Sequence, residues 1–395
     1  MRILHIVGTI SPAAGGPTEV VRMLVRYAPP GDSAELATLD DPDSPFLNGL
    51  GFPVHALGSA KKSWYSPKLV PWLRQNRHRF DGVIVHGLWE FTGLAVSLAH
   101  AKTPYVVFPH GMLDPWFKHR YPRKHAKKWL YWLLAEYWVL RRATRVLFTT
   151  ETERELAAQS FWLHRWKPLV VALGTEPPPA DTARLLAAFH ALVPEVAGCR
   201  FLLFLGRIDP KKGPDLLLEA FLSVAESAPE LHLVMAGPGT SATKPGDFAD
   251  QLRARADASA YAERIHWPGM LLGDAKWGAI AACETFVLPS HQENFGIAVV
   301  EALASGRPVL ISDQVNIAPQ IAAESAADRC GLVAPDTQEG TLKLLQDWLQ
   351  TTEDERTAMS QCATNTFATH YDMRRNTAAI LRVFNGYGKP RKEAR

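Results

Sequence analysis

Two carboxylates eight positions apart, Glu293 and Glu301, mark the stretch PSHQENFGIAVVEALASGRPVL at residues 289–310. Glu293 stands just ahead of an Asn-Phe-Gly turn, and Glu301 lies among Val299, Val300, Ala302 and Leu303, in what reads as a buried helix. An unpaired carboxylate in that company is costly, which points to function. A helix starting near Asn294–Gly296 offers free amides and a positive dipole end to an anion. Carboxylates also accept hydrogen bonds from vicinal hydroxyls. Hydroxyls at either end with phosphates between describe a nucleotide sugar. Upstream, GRIDPKKGPDLLLEAF at 206–221 places Arg207 and Lys212 at the head of a helix expected from Pro214, with Gly206 for a tight turn. Two cations beside free helix amides suit a pyrophosphate. For that stretch alone, a solvated loop with ordinary Lys/Arg explains the residues equally well.

Such residues need strands to carry them. Apolar runs of strand length alternate with helical patterns along the whole chain, as in parallel α/β architecture. One series comprises 3–7, 83–86, 105–108, 146–149 and 169–172, with a helical stretch from about Thr18. A second comprises 201–205, 231–236, 264–266, 285–288 and 308–311. The fold class is therefore α/β, with two tandem Rossmann-like, doubly wound parallel-sheet domains facing a cleft. Ligands of such sheets sit outside the carboxyl ends of the strands. Three prolines in GTEPPPADT break the pattern, giving a first domain at 1–175, a linker at 176–198 and a second domain at 199–370. A C-terminal helix at 371–395, free to cross back to the first domain, ends in a basic tail that is expected to be disordered. Neither the Gly-rich turn after 231–236 nor the loop after the first strand has the Gly-x-Gly-x-x-Gly of nicotinamide enzymes.

The 395 residues, 47% hydrophobic and 21% charged, supply apolar material for two cores. Residues 1–172 hold 22 Lys/Arg against 13 Asp/Glu, net +9, and the remainder 21 against 27, net −6. A basic half suggests an anionic partner or surface. Four scattered cysteines without a Cys-x-x-Cys pair argue against structural zinc and a disulfide framework. The apolar start ends at Gly8, too soon for a signal peptide, and the apolar piece WLYWLLAEYWVL is far short of the ~20 residues of a membrane span. A cytoplasmic location is expected.

GRIDPKKG followed by PSHQENFGIAVVEALASGRPV resembles the retaining glycosyltransferases of family 4, which have the GT-B fold. Its hallmark is the E-x7-E element, here Glu293 to Glu301. GGPTEVV is similar to the family's first glycine loop, FPHGMLDPW to its N-terminal histidine segment, and TTETE to its Thr/Ser-Glu turn. VVALGTE is similar to the segment written V-x-P-N-G, with Ala172 and Leu173 in place of Pro and Asn, so no ligand role passes to them. Asn294 stands where many members have Gly, which alters the local turn.

The resemblance implies that Arg207 and Lys212 bind and neutralise the donor diphosphate. It also implies that Glu293 binds donor-sugar hydroxyls and Glu301 the ribose, and that amides of the Asn294, Phe295, Gly296 and Ile297 segment reach the phosphates or sugar. His110 would lie near the reacting centre, and Gly15 and Gly16 would let the first loop approach donor or acceptor. The base would rest near Trp267 to Leu271. Catalysis is expected from His110, Arg207, Lys212 and Glu293, by retaining front-face substitution without a metal or other cofactor; a covalent route through Glu293 is the less favoured variant. DPD at 41–43 reads as a solvated acidic loop, His86 as an ordinary satisfied polar residue, and Asp114 as a brace of its loop.

The expected acceptor is a glycan or a lipid-pyrophosphate-linked glycan, in cell-surface polysaccharide or glycolipid assembly. Residues 115–145 contain nine Lys/Arg, one acidic residue and eight aromatics, a composition that suits peripheral contact with an anionic membrane. Apolar residues all round 129–135 predict burial of that middle, leaving the basic flank 118–128 to meet a membrane. Nucleic acid is not an expected partner, since no recognition helix or stacking platform is present. A sugar-nucleotide epimerase or hydrolase of the same fold, and a non-catalytic nucleotide-sugar-binding subunit, are the alternatives.

Overall fold

The computed structural model describes residues 1–58, 65–99, 103–239, 248–322 and 329–385. Most of the Gly-rich turn after Ala236, and the basic tail from residue 386, lie outside these. The chain divides into two units, Met1–Gly174 with the residues from Met373 on, and Thr175–Asp372.

The first unit holds β1 (Arg2–Val7), β2 (Ser33–Thr38), β3 (Val54–Ala56), β4 (Gly82–His86), β5 (Tyr105–Phe108), β6 (Arg145–Phe148) and β7 (Pro168–Val170). They form one parallel sheet in the order β3-β2-β1-β4-β5-β6-β7. Its central strands read as largely apolar runs because helices cover both faces; all five residues of β4 are buried. The helix Met373–Leu381 belongs to this unit: Asn376 Nδ2 donates to the Leu173 carbonyl at 2.9 Å. Phe384 follows it and seats against Gly82, where any Cβ would come within 2.6 Å of its ring.

The second unit holds β8 (Arg200–Leu205), β9 (Leu231–Ala236), β10 (Ile265–Gly269), β11 (Thr285–Leu288), β12 (Val309–Ser312) and β13 (Gly331–Ala334), in the order β10-β9-β8-β11-β12-β13 and again parallel. The stretch read as a linker is built into this unit. Asp181 caps the helix Thr182–His190 by accepting from the Arg184 amide at 3.1 Å. Leu185 and Phe189 are buried, and the helix lies so close to the helix Gly273–Ala282 that a Cβ on Gly278 would sit 2.0 Å from the Leu185 carbonyl oxygen.

The expectation for 129–135 is corrected. The helix Pro122–Tyr131 passes through a π turn, Trp132–Glu136, into the helix Tyr137–Arg142. Trp132 and Ala135 are buried, whereas Leu130 and Leu134 are 66% and 71% exposed, with Leu133 and Trp138 also exposed. Only one face is packed, so the apolar residues on the other face meet solvent. No helix among the described residues is long and apolar enough to cross a membrane.

Candidate active site

In the second sheet the strand order reverses between β8 and β11, so the loops leaving their carboxyl ends share one crevice. The β8 loop turns at Pro210–Lys212, where Asp209 accepts from the Lys211 amide at 2.9 Å. It closes at Gly213, with φ 64°. A Cβ there would lie 2.2 Å from the Pro289 carbonyl oxygen, so glycine alone lets this loop seat on the start of the β11 loop. The His291 amide donates to the Lys211 carbonyl at 2.9 Å and tightens the same contact. Lys212 is thereby delivered to Glu293, and Nζ forms an ion pair with Oε2. Glu293 Oε1 accepts from the Asn294 amide at 3.1 Å. Its backbone is fixed by the bonds Glu293 N to Gln314 O, 3.1 Å, and Asn316 N to Glu293 O, 3.0 Å. Burial alone would raise the Glu293 pKa, but the Lys212 and Lys211 ammoniums and the bonds it accepts outweigh burial and hold it below the usual range. Arg207 is exposed and makes no ion pair among the described residues.

Gly296, left-handed at φ 73°, caps the helix Ile297–Ala304, and Phe295 is buried edge-on to Tyr371. The first amides of this helix have no intrahelical acceptor. Because the helix begins at Ile297, Glu301 lies little more than one turn inside it. The premise that Glu301 is an unpaired carboxylate is corrected: Lys276 Nζ, from the helix Gly273–Ala282, sits 2.6 Å from its Oε1. The strand expected at 264–266 is β10, which runs on to Gly269 and so includes Trp267 and Pro268. The loop proper starts at Met270. Backbone bonds from Gly206 to Ala236 (3.0 Å) and from Gly237 to Gly269 (2.8 Å) tie the ends of β8, β9 and β10 together.

In the first sheet the order reverses between β1 and β4. His110 follows β5 in a left-handed conformation, φ 51°. Two anchors hold this turn. The Gly111 amide donates to Glu153 Oε1 at 2.7 Å, and Glu153 Oε2 accepts from the Thr149 amide at 2.6 Å. Asp114 Oδ1 accepts from the Trp116 amide at 2.7 Å, the bracing role expected of it. His110 does not stand alone: its Nε2 lies 3.0 Å from His86 Nδ1, and His86 Nε2 lies 3.0 Å from His5 Nδ1. The reading of His86 as merely satisfied is therefore incomplete. Burial lowers the pKa of all three, to about 3 for His5 and about 4 for His110, with neighbouring imidazoles adding to the effect at His86. Glu90 and Glu136 were also missed. Burial pushes each carboxyl up to about 7; the Gly8 amide opposes this at Glu90 and the Trp89 amide, 2.7 Å away, opposes it at Glu136. Gly15 is exposed with φ 84° and caps the helix Gly16–Arg26, leaving space about its Cα.

Residues 193–366 match the Glycosyl transferases group 1 family and residues 15–174 the Glycosyl transferase 4-like domain, together well over half of the chain. The chain belongs to glycosyltransferase family 4, of the GT-B fold. Among curated relatives of this family 4 chain, the D-inositol 3-phosphate glycosyltransferase of Streptomyces avermitilis is 28% identical over 262 residues, 51% of this chain and 53% of that protein. The phosphatidyl-myo-inositol mannosyltransferase of Mycobacterium leprae is 33% identical over 126 residues, 30% of this chain and 31% of its own. The chain thus spans about half the length, or less, of these relatives. Among solved structures, Anabaena HepE in complex with UDP and glucose superposes with a TM-score of 0.76 at 17% identity, covering 97% of this chain and 98% of its own. Sucrose-phosphate synthase from Thermosynechococcus elongatus gives 0.74 at 17% identity, over 97% and 98%. At that identity the likeness establishes the fold.

Within this family 4 chain, then, Lys212, Glu293, Asn294, Phe295, Gly296 and Ile297 are brought together in the second unit, and Glu301 follows on the same helix. His110 and Gly15 lie in the first. The residues missed, His5, His86, Glu90, Glu136, Glu153 and Lys276, are polar groups in apolar or helical runs. The one legible sign was an ionisable residue inside an otherwise apolar strand, as His5 is in ILHIV.

Proposed function

We propose that the chain transfers a hexose from a nucleoside diphosphate sugar to a glycan or lipid-linked glycan, with retention at the anomeric carbon. The observation that carries this reading is the Lys212–Glu293 pair at the β8/β11 switch point, beside the amide end of Ile297–Ala304. Arg207 and Lys212 hold the diphosphate, Glu293 the sugar hydroxyls, Glu301 with Lys276 the ribose, and His110 hydrogen-bonds the transferred sugar. The bond from C1 to the leaving diphosphate oxygen breaks while the acceptor oxygen bonds C1 on the same face, and the acceptor proton passes to the leaving oxygen. The two cations neutralise the departing charge, so the reading assigns no metal or cofactor. A UDP complex in a structural neighbour supports a nucleotide donor. Relatives named for phosphorylated inositol acceptors, and the +9 charge of the first 172 residues, support an anionic acceptor.

The exposed Leu130, Leu133, Leu134 and Trp138, next to Arg141 and Arg142 and the basic flank 118–128, support peripheral contact with the inner membrane face in a cytoplasmic protein. The test is release of nucleoside diphosphate from UDP-, GDP-, dTDP- and ADP-sugars, with and without EDTA. One donor class should turn over, chelation should leave the rate unchanged, and Lys212→Ala should lose roughly 10²-fold in kcat. A free epimerised sugar as the product would support the epimerase reading instead.

A further inference from the structure

We propose that His5 and His86 are positioning residues that lock the ring tautomer of His110, so that His110 presents an Nδ1–H, a donor, to an oxygen of the transferred sugar. The last clause rests on the function proposed above; the lock itself rests on geometry. β1, β4 and β5 are successive neighbours in the sheet, and they place the three rings edge to edge in one nearly coplanar row. The centroids of His5 and His86, and of His86 and His110, are 5.3 Å apart, with interplanar angles of 12° and 13°. Phe108 lies nearly parallel to both His86 and His110, at 5.8 and 5.2 Å. Both N···N separations are 3.0 Å.

A hydrogen bond between two ring nitrogens requires one protonated and one bare nitrogen. A neutral imidazole has one of each. Both nitrogens of His86 are committed, so the three rings must agree. Either every ring carries its proton on Nδ1, or every ring carries it on Nε2. The second order would bury the Nε2–H of His5, which is fully buried and has no partner among the described residues. The first leaves only a bare lone pair there. An orphaned buried N–H is the rarer and costlier fault, so the Nδ1–H order prevails. A proton added to His86 or His110 would set donor against donor, one added to His5 would bury an N–H without a partner among the described residues, and burial already disfavours the charged forms of all three.

At the outer end, half-buried His110 has Nε2 occupied as the acceptor from His86, and its Nδ1–H has no partner among the described residues. Its backbone cannot swing the ring away, because the left-handed turn is tied to Glu153 through the Gly111 amide. The arrangement makes His110 a hydrogen-bond donor rather than a proton-accepting base.

The test is a multiple-bond ¹⁵N–¹H correlation spectrum of the ¹⁵N-histidine-labelled protein at neutral pH, with signals assigned through single His variants. His5, His86 and His110 are expected each as the Nδ1–H tautomer, and His86→Phe should release His110 to a tautomer mixture. The same variant should lower kcat by about tenfold or more with little change in donor KM, and His86→Asn, which keeps one donor and one acceptor, should recover part of the loss. Nε2–H at His110 in the wild type, or an unchanged His110 tautomer in His86→Phe, would overturn the lock. Intact tautomers with full transfer by His110→Ala would uphold the lock and overturn the role given to His110.

Discussion

The three linked imidazoles make a testable statement about stability. In the fold, burial holds His5 near a pKa of about 3 and His110 near about 4, against ~6.5 for an unfolded histidine. Between those limits the unfolded chain binds more protons than the native one, so stability rises with pH across that window and is lost as pH falls below ~6.5. The unfolding free energy from urea titration should therefore fall between pH 7 and pH 5, and fall less in His5→Leu, by on the order of 1–2 kcal/mol. Equal falls in the two proteins would mean that His5 is not held neutral. Glu293 acts in the same sense, over a more acidic window. Its lowered pKa makes its contribution present above the ordinary carboxylate range and lost as acid protonates the folded carboxyl.

At the scale of elements, the helix through 122–142 carries the clearest prediction. Replacing Leu130 and Leu134 with Ser should leave the fold intact, since both are largely exposed, and should weaken sedimentation with phosphatidylserine vesicles. Undiminished binding would remove this face from the membrane account. That face was not legible in the sequence, because apolar residues all round 129–135 read the same whether the second side is packed or bare.

The buried strands β1, β4, β5, β8, β9, β11 and β12 were legible, because burial on both faces writes a continuous apolar run. β2, β3 and β13 were not. SAELAT carries Glu35 and small residues, VHA is three residues long, and GLVA follows a break in the pattern. The stretch 181–193 reads as helical, but the three prolines before it make it look like a linker, and what binds the helix Thr182–His190 to its unit is a glycine about ninety residues away, Gly278. The same limit governs the site. Glu293, Lys212 and the Gly296 cap follow from local spacing, whereas Lys276 beside Glu301, and His5 and His86 behind His110, depend on which strands and helices become neighbours.

At the scale of the molecule, the chain leaves its first unit at Gly174 and returns at Met373. The returning segment is part of that unit's core: Ile380, Leu381 and Phe384 are buried. Phe384→Ala should cost about 3–5 kcal/mol, read as a lower unfolding midpoint. A loss under ~1 kcal/mol would show that the segment only rests on the surface.

The β8/β11 switch point is proposed to hold a nucleoside diphosphate through Arg207 and Lys212. Calorimetric titration of UDP, GDP, dTDP and ADP into the wild type and Arg207→Ala tests it most directly. One preferred nucleotide is expected, bound at least about tenfold (~1.4 kcal/mol) more weakly by the variant. Equal binding to both proteins, or no binding of any nucleotide, would contradict it.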